Sequence, residues 1–237
     1  MNTFTEKRPV HWFIAGDSTA AQYHPNKLPM AGWGQMLYKF LDDRVVVRNY
    51  ALCGRSSKSF VDQGHLQQIA NHIRPGDVLF IQFGHNDQKQ DPKRYTDPQS
   101  TYAEYITKCI ECALNSDAQP VLLTSVERRK FDEDGRLAAA EHGAYQQTTR
   151  ELAERWKLPL IDLAVHTRKL YESLGIEDSK KLFVWLEAGE HPNYPEGVQD
   201  NTHFNIYGAE TIARFVADDL NKMNGPLSQY VTYSPQQ

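Results

Sequence analysis

The run Val10-His11-Trp12-Phe13-Ile14-Ala15-Gly16-Asp17-Ser18-Thr19-Ala20 decides the fold. Residues 10–15 form a short, uncharged, mostly apolar stretch. A stretch of that length reads as a strand buried on both faces. Gly16 lets the chain turn sharply as it leaves the strand, and a serine follows two residues later. Four further runs read the same way, at residues 45–49, 78–83, 121–124 and 160–162. Segments with helical spacing lie between them, at 32–41, 59–73, 102–114 and 138–156, and a last one spans 207–221. In the 102–114 segment Tyr102, Ile106, Cys109, Ile110 and Ala113 share one face; in the last, Ile212, Phe215, Val216 and Leu220 do. Strands alternating with helices need right-handed crossovers that place helices on both sheet faces. The expectation is therefore an α/β fold, a three-layer α/β/α sandwich on a five-stranded parallel sheet. No repeat or boundary interrupts it, so residues 1–237 are expected to form one domain. Residues 189–199 read as an irregular loop. Residues 225–237 read as a C-terminal tail in which Leu227, Tyr230 and Val231 can pack.

A chain of 237 residues can bury a full core without disulfide or metal staples. Hydrophobic residues at 40% and charged residues at 24% are ordinary globular usage and argue against a disordered chain. A net charge of −4 speaks against a nucleic-acid or membrane-surface partner. No apolar run approaches the roughly 18 residues of a membrane span. The opening Met1-Asn2-Thr3-Phe4-Thr5-Glu6-Lys7-Arg8-Pro9 lacks the apolar stretch of a signal peptide, so a cytoplasmic location is expected. Cys109 and Cys112 sit inside a helical pattern with no second ligand pair, and read as plain buried or half-buried thiols. The nine histidines show no H-x-x-x-H or H-E-x-x-H spacing, so no metal is expected. The phosphate-cradling glycine loops of nucleotide binders are missing as well, and no cofactor is expected.

In an open α/β sheet, ligands bind beyond the carboxyl ends of the strands. Gly16-Asp17-Ser18 follows the first strand, Cys53-Gly54-Arg55-Ser56 the second and Gly84-His85-Asn86-Asp87 the third. Asp200-Asn201-Thr202-His203 leads into the last helix, on a loop or first helical turn. Each piece alone has an ordinary reading: a capped turn, a turn glycine, an Asx turn, an N-cap aspartate. Together they supply what acyl transfer needs. Ser18 is the candidate nucleophile, His203 the general base and Asp200 its orienter. The Ser18 and Gly54 backbone N–H groups and the Asn86 amide are the candidate oxyanion donors.

Gly-Asp-Ser, a downstream glycine, Gly-x-Asn-Asp and Asp-x-x-His, in that order, resemble the SGNH (GDSL) hydrolases over nearly the whole chain. Gly54-Arg55-Ser56-Ser57, the run from Gln82 to Lys89, Arg128-Arg129-Lys130-Phe131 and the run from Asp200 to Phe204 are similar to the rhamnogalacturonan acetylesterases of that superfamily. The resemblance implies a flavodoxin-like sandwich that removes acetyl groups from pectic rhamnogalacturonan. It carries over Ser18, Gly54, Asn86, Asp200 and His203.

Five cations, Arg55, Lys58, Arg128, Arg129 and Lys130, fall on the expected ligand edge of a chain whose net charge is negative. Guanidinium forks pair with carboxylates, so these cations suit an anionic sugar. His85 and His191 are candidates to line the same cleft, and Trp185 and Tyr194 to stack on a sugar ring. The expected partner is an acetylated oligo- or polysaccharide. A lipase, thioesterase or other esterase with a different acyl group is the competing enzyme, and a catalytically silent carbohydrate-binding protein the competing non-enzyme.

Overall fold

A computed structural model describes residues 8–232. The opening residues of the expected leaderless N-terminus, 1–7, and the end of the expected tail, 233–237, lie outside the described residues. Five parallel strands form the sheet: β1 Val10–Gly16, β2 Val45–Asn49, β3 Val78–Gln82, β4 Gln119–Leu123 and β5 Leu160–Ile161. Their order is β2-β1-β3-β4-β5, the flavodoxin-like order that the family resemblance implies, on the parallel sheet expected from the strand–helix alternation. Successive strand residues point to opposite faces. Trp12 and Ile14 accordingly join one apolar cluster, with Phe80, Val121 and Leu123, while Phe13 and Ala15 join another, with Leu79, Ile81 and Leu122. The first cluster is covered by α1 Trp33–Met36, α6 Leu163–Asp178 and α7 Ile206–Lys222. The second is covered by α2 Ser57–Asp62, α3 His65–Ala70, α4 Ala103–Leu114 and α5 Gly143–Trp156. The apolar face read for 102–114 is the buried one: Tyr102, Ile106, Cys109, Ile110 and Ala113 are all at most 1% exposed. No helix among the described residues is long and apolar enough to cross a membrane.

Several boundaries differ from expectation for local reasons. The segment 32–41 is one short α turn, α1, followed by a 3-10 turn, Leu37–Phe40. The segment 59–73 begins earlier, because Ser56 and Ser59 make a reciprocal capping box. It then breaks at Gly64, whose φ of 80° is open to glycine at little cost. The segment 138–156 becomes helical only at Gly143. β5 stops at Ile161 because Asp162 caps a helix not anticipated from the sequence, α6, accepting the Val165 N–H at 3.3 Å. The segment read as a loop or first turn is a strand: β7 Val198–Phe204 pairs antiparallel with β6 Phe183–Leu186, joining Phe183 to Phe204 and Leu186 to Val198. At the C-terminus, Leu227, Tyr230 and Val231 pack against the first cluster.

Candidate active site

The connection leaving β1 runs toward β2 and the connection leaving β3 runs the other way, toward β4, so a crevice opens beyond the carboxyl ends of these two strands. Ser18 lies two residues past β1 and Asn86 four past β3. The β6–β7 hairpin brings His203 over the same edge. His203 Nε2 lies 3.0 Å from Ser18 Oγ, and His203 Nδ1 lies 2.7 Å from Asp200 Oδ2. Asp200 Oδ1 accepts the Thr202 and His203 backbone N–H groups at 2.7 and 2.8 Å. Burial pushes the Asp200 carboxyl up, but the bonds from the His203 ring and from these N–H groups outweigh it and hold the group below the ordinary aspartate range. A charged Asp200 obliges Nδ1 to carry the proton and leaves Nε2 as the acceptor toward Ser18.

The Ser18 turn is braced from below. Asp17 is fully buried, and its Oδ1 accepts from Thr19 N and Oγ1 at 2.9 and 2.8 Å. Tyr23 donates its hydroxyl to Ser18 O at 2.9 Å, and burial raises its pKa above the ordinary tyrosine value. Opposite, Asn86 Nδ2 donates to Arg55 O at 3.0 Å and ties the β3 turn to the β2 turn beside Gly54. An amide nitrogen carries two N–H donors, and the second makes no bond among the described residues. Neither do the Ser18 and Gly54 backbone N–H groups. Gly54 adopts φ +74°, and a Cβ there would meet nothing within 4 Å, so glycine serves the backbone's direction rather than space.

Asp87, read from the sequence as part of an Asx turn and of the Gly-x-Asn-Asp run but given no role, is the hub of this arrangement. Its buried carboxylate accepts from Ser57 N at 3.0 Å, Ser57 Oγ at 2.5 Å, Thr96 Oγ1 at 3.1 Å and Gly84 N at 3.1 Å. It thereby locks the start of α2 to the turn bearing Asn86. Burial pushes this carboxyl up to about 7, while the Ser57 and Thr96 donors pull toward charge. Asn201, also given no role from the sequence, anchors the hairpin: its Oδ1 accepts from Arg129 Nη1 at 2.7 Å and Trp185 Nε1 at 3.1 Å. Both positions fall inside the quoted motifs, but their roles were not legible there, because each depends on partners distant in the chain.

The rim differs from expectation. Arg129 is no rim cation: it is 5% exposed, and its guanidinium binds Asn201, Ser179 Oγ and Ile176 O. Lys58 is paired with Asp62, and Lys130 with Glu141 at 2.5 Å. His85 is turned inward, 2% exposed, with Nε2 2.7 Å from Val126 O and Nδ1 3.6 Å from Asp17 Oδ2. Its neighbour His142 also meets Val126 O, and burial pushes its pKa down to about 3. Trp185 lies on β6 and already has Arg129 and Lys180 over its ring, at 5.2 and 4.7 Å. Tyr194 and His191 belong to the loop 187–197, where Tyr194 donates to Lys27 O at 2.9 Å and His191 Nδ1 accepts from Asn193 N at 3.1 Å. Arg55 and Arg128 have no carboxylate partner among the described residues. No group of three or more His, Cys, Asp or Glu among them is placed to hold a metal. A cavity of about 340 Å³ lies at the other end of the sheet, between Asp77, Gln119, Leu220 and Tyr230, away from all of these residues.

Residues 14–210 match the model of the GDSL-like Lipase/Acylhydrolase family. The chain is 47% identical over 227 residues to the rhamnogalacturonan acetylesterase RhgT of Bacillus subtilis (strain 168), covering 95% of each protein. It is 35% identical over 227 residues to the probable rhamnogalacturonan acetylesterase YesY of the same organism, covering 93% of this chain and 97% of that one. Among solved structures, the protein YxiM of Bacillus subtilis superposes with a TM-score of 0.77 at 29% identity, over 92% of this chain and 57% of that one.

Proposed function

Because the chain belongs to the GDSL-like lipase/acylhydrolase family and is a carboxylic ester hydrolase, we propose that the ester it cleaves is an acetyl group on an acidic pectic carbohydrate of the rhamnogalacturonan kind. The observation that carries the chemistry is the line Ser18 Oγ, His203 Nε2, His203 Nδ1, Asp200 Oδ2, with contacts of 3.0 and 2.7 Å. In this reading His203 takes the proton as Ser18 Oγ attacks the acetyl carbonyl. The developing oxyanion meets the Ser18 and Gly54 N–H groups and the spare Asn86 N–H, which are worth more to the charged intermediate than to the carbonyl. His203 then gives its proton to the departing sugar oxygen, leaving an acetyl-serine. Water, deprotonated by the same imidazole, attacks the acetyl-serine and releases acetate. The acidic carbohydrate is supported by the names of the relatives, which cover nearly the full chain.

The test is acetate release from acetylated rhamnogalacturonan, acetylated xylan and synthetic esters of increasing acyl length, by wild type and Ser18→Ala. The expected outcome is preference for acetyl over longer acyl groups and for the acidic polymer over xylan. Ser18→Ala is expected to lose about 10⁴–10⁶ in kcat while remaining folded. Near-normal turnover by folded Ser18→Ala removes the assignment, and a preference for long acyl chains transfers the enzyme to the lipase or thioesterase class.

A further inference from the structure

Lys89 closes the turn that carries Asn86 with its backbone, and Arg128 docks on that turn with its side chain. The Lys89 N–H donates to Asn86 O at 3.2 Å, and Arg128 Nη2 donates to His85 O at 3.4 Å. Among the described residues neither side chain has a carboxylate partner. The Lys89 ammonium makes no hydrogen bond, Arg128 Nη1 makes none, and Arg128 Nε is buried without a partner. Of the nearby acids, Glu141 binds Lys130 at 2.5 Å, Asp91 binds Arg94 at 2.6 Å, and Asp17 is buried under the Ser18 turn with Oδ2 3.6 Å from His85 Nδ1. Burial, with the guanidiniums of Arg94 and Arg128, pushes the Lys89 ammonium below the ordinary lysine range. Like charges held close together repel unless an anion lies between them. A planar fork beside a point charge is a fitting pair for a carboxylate's two oxygens. Arg55, on the other flank of Asn86, reaches only Cys53 O at 3.5 Å and, like Arg128, has its Nε buried without a partner.

We propose that Lys89 and Arg128 form a carboxylate-binding subsite on the β4 side of Asn86, which takes a uronate carboxylate of the acetylated saccharide. This rests on the proposed acetylesterase activity. It explains how a catalytic centre that treats all small acetyl esters alike selects an acidic saccharide. β4 lies next to β3 in the sheet, so a saccharide whose acetyl carbonyl reaches the Asn86 amide lies beside the Arg128 guanidinium, which docks on that turn.

Two measurements test it. The first is the ratio of kcat/KM for an acetylated rhamnogalacturonan oligosaccharide to that for 4-nitrophenyl acetate, in wild type, Lys89→Gln, Arg128→Gln and Arg128→Lys. Lys89 is exposed, so Lys89→Gln keeps the test valid should the half-buried Arg128 prove sensitive to substitution. The ratio is expected to fall on the order of tenfold in each glutamine variant, with part retained in Arg128→Lys. About 0.5 M salt should lower the wild-type ratio and leave the Lys89→Gln/Arg128→Gln ratio flat. The second is the Kd of Ser18→Ala for the deacetylated oligosaccharide, expected to weaken by a similar factor when Lys89→Gln is added. Unchanged ratios and an unchanged Kd overturn the subsite while leaving the esterase standing. If wild type cleaves no acetyl ester, the activity fails, and the binding measurement alone decides the subsite.

Discussion

Asp200→Asn separates electrostatics from architecture more sharply than any other single change. Asp200 Oδ1 accepts two backbone N–H groups, at 2.7 and 2.8 Å, and Oδ2 faces His203 Nδ1 at 2.7 Å. In the asparagine variant those two donors keep the amide oxygen on their own side. The NH₂ must then face Nδ1. An amide NH₂ can only donate, so the imidazole adopts the tautomer with Nδ1 as acceptor and its hydrogen on Nε2. Nε2 now donates to Ser18 Oγ, 3.0 Å away, and cannot take its proton. A wrong tautomer in an otherwise intact triad costs about 10⁴ in kcat, or about 5.5 kcal/mol at roughly 1.36 kcal/mol per decade. All three hydrogen bonds have counterparts in the variant, so stability should change by no more than about 1–2 kcal/mol. Initial rates on 4-nitrophenyl acetate, paired with thermal unfolding, measure both effects. Asp200→Ala is the contrast, because it also strands the two backbone donors. A folded Asp200→Asn protein within about tenfold of wild-type kcat would refute the tautomer reasoning.

Other outcomes follow from the same geometry. Asn86→Ala should lose about 10²–10³ in kcat with little change in KM, read by steady-state kinetics; an effect confined to KM would make Asn86 a ground-state contact. Asp87→Asn places an NH₂ opposite either the Ser57 or the Gly84 backbone N–H, both of which now find an acceptor oxygen at 3.0–3.1 Å. Chemical denaturation should therefore show a loss of about 1–3 kcal/mol, and unchanged stability would mean that the hub is dispensable. Asp200 is held below the ordinary aspartate range, so it stays ionised throughout that range. The profile of log kcat/KM against pH should thus show no change of slope within the ordinary aspartate range, and a steepening there would show that Asp200 takes up a proton.

The five-stranded parallel sheet was legible because each strand is an apolar run buried on both faces, from the Trp12-Phe13-Ile14-Ala15 stretch onward. Helices were legible where apolar residues share a face, as in α4. Boundaries were not, since they turn on single residues: Gly64 breaking one helix, Asp162 ending a strand by capping the next element. The β6–β7 hairpin was opaque because β7 reads Val-Gln-Asp-Asn-Thr-His-Phe, almost without apolar alternation. Its strand state comes from its pairing partner.

At the candidate site, the sequence by itself determined the chemical types and the strand ends on which they sit: a serine after β1, an asparagine after β3, an acid and a histidine before α7. These follow from local spacing and from the rule that strand ends face the ligand. Only the tertiary structure decided which of them meet. It brings Ser18 to 3.0 Å from His203 across 185 residues of chain. It also decided which charges remain free. Arg129, Lys58 and Lys130 look equivalent to Arg128 in the sequence, yet the first three are engaged by Asn201, Asp62 and Glu141. Lys89 is only the last residue of the run from Gln82, yet the fold leaves it without an ion-pair partner among the described residues. A side chain's charge is a property of its type, but whether that charge is spent depends on neighbours that folding alone assembles.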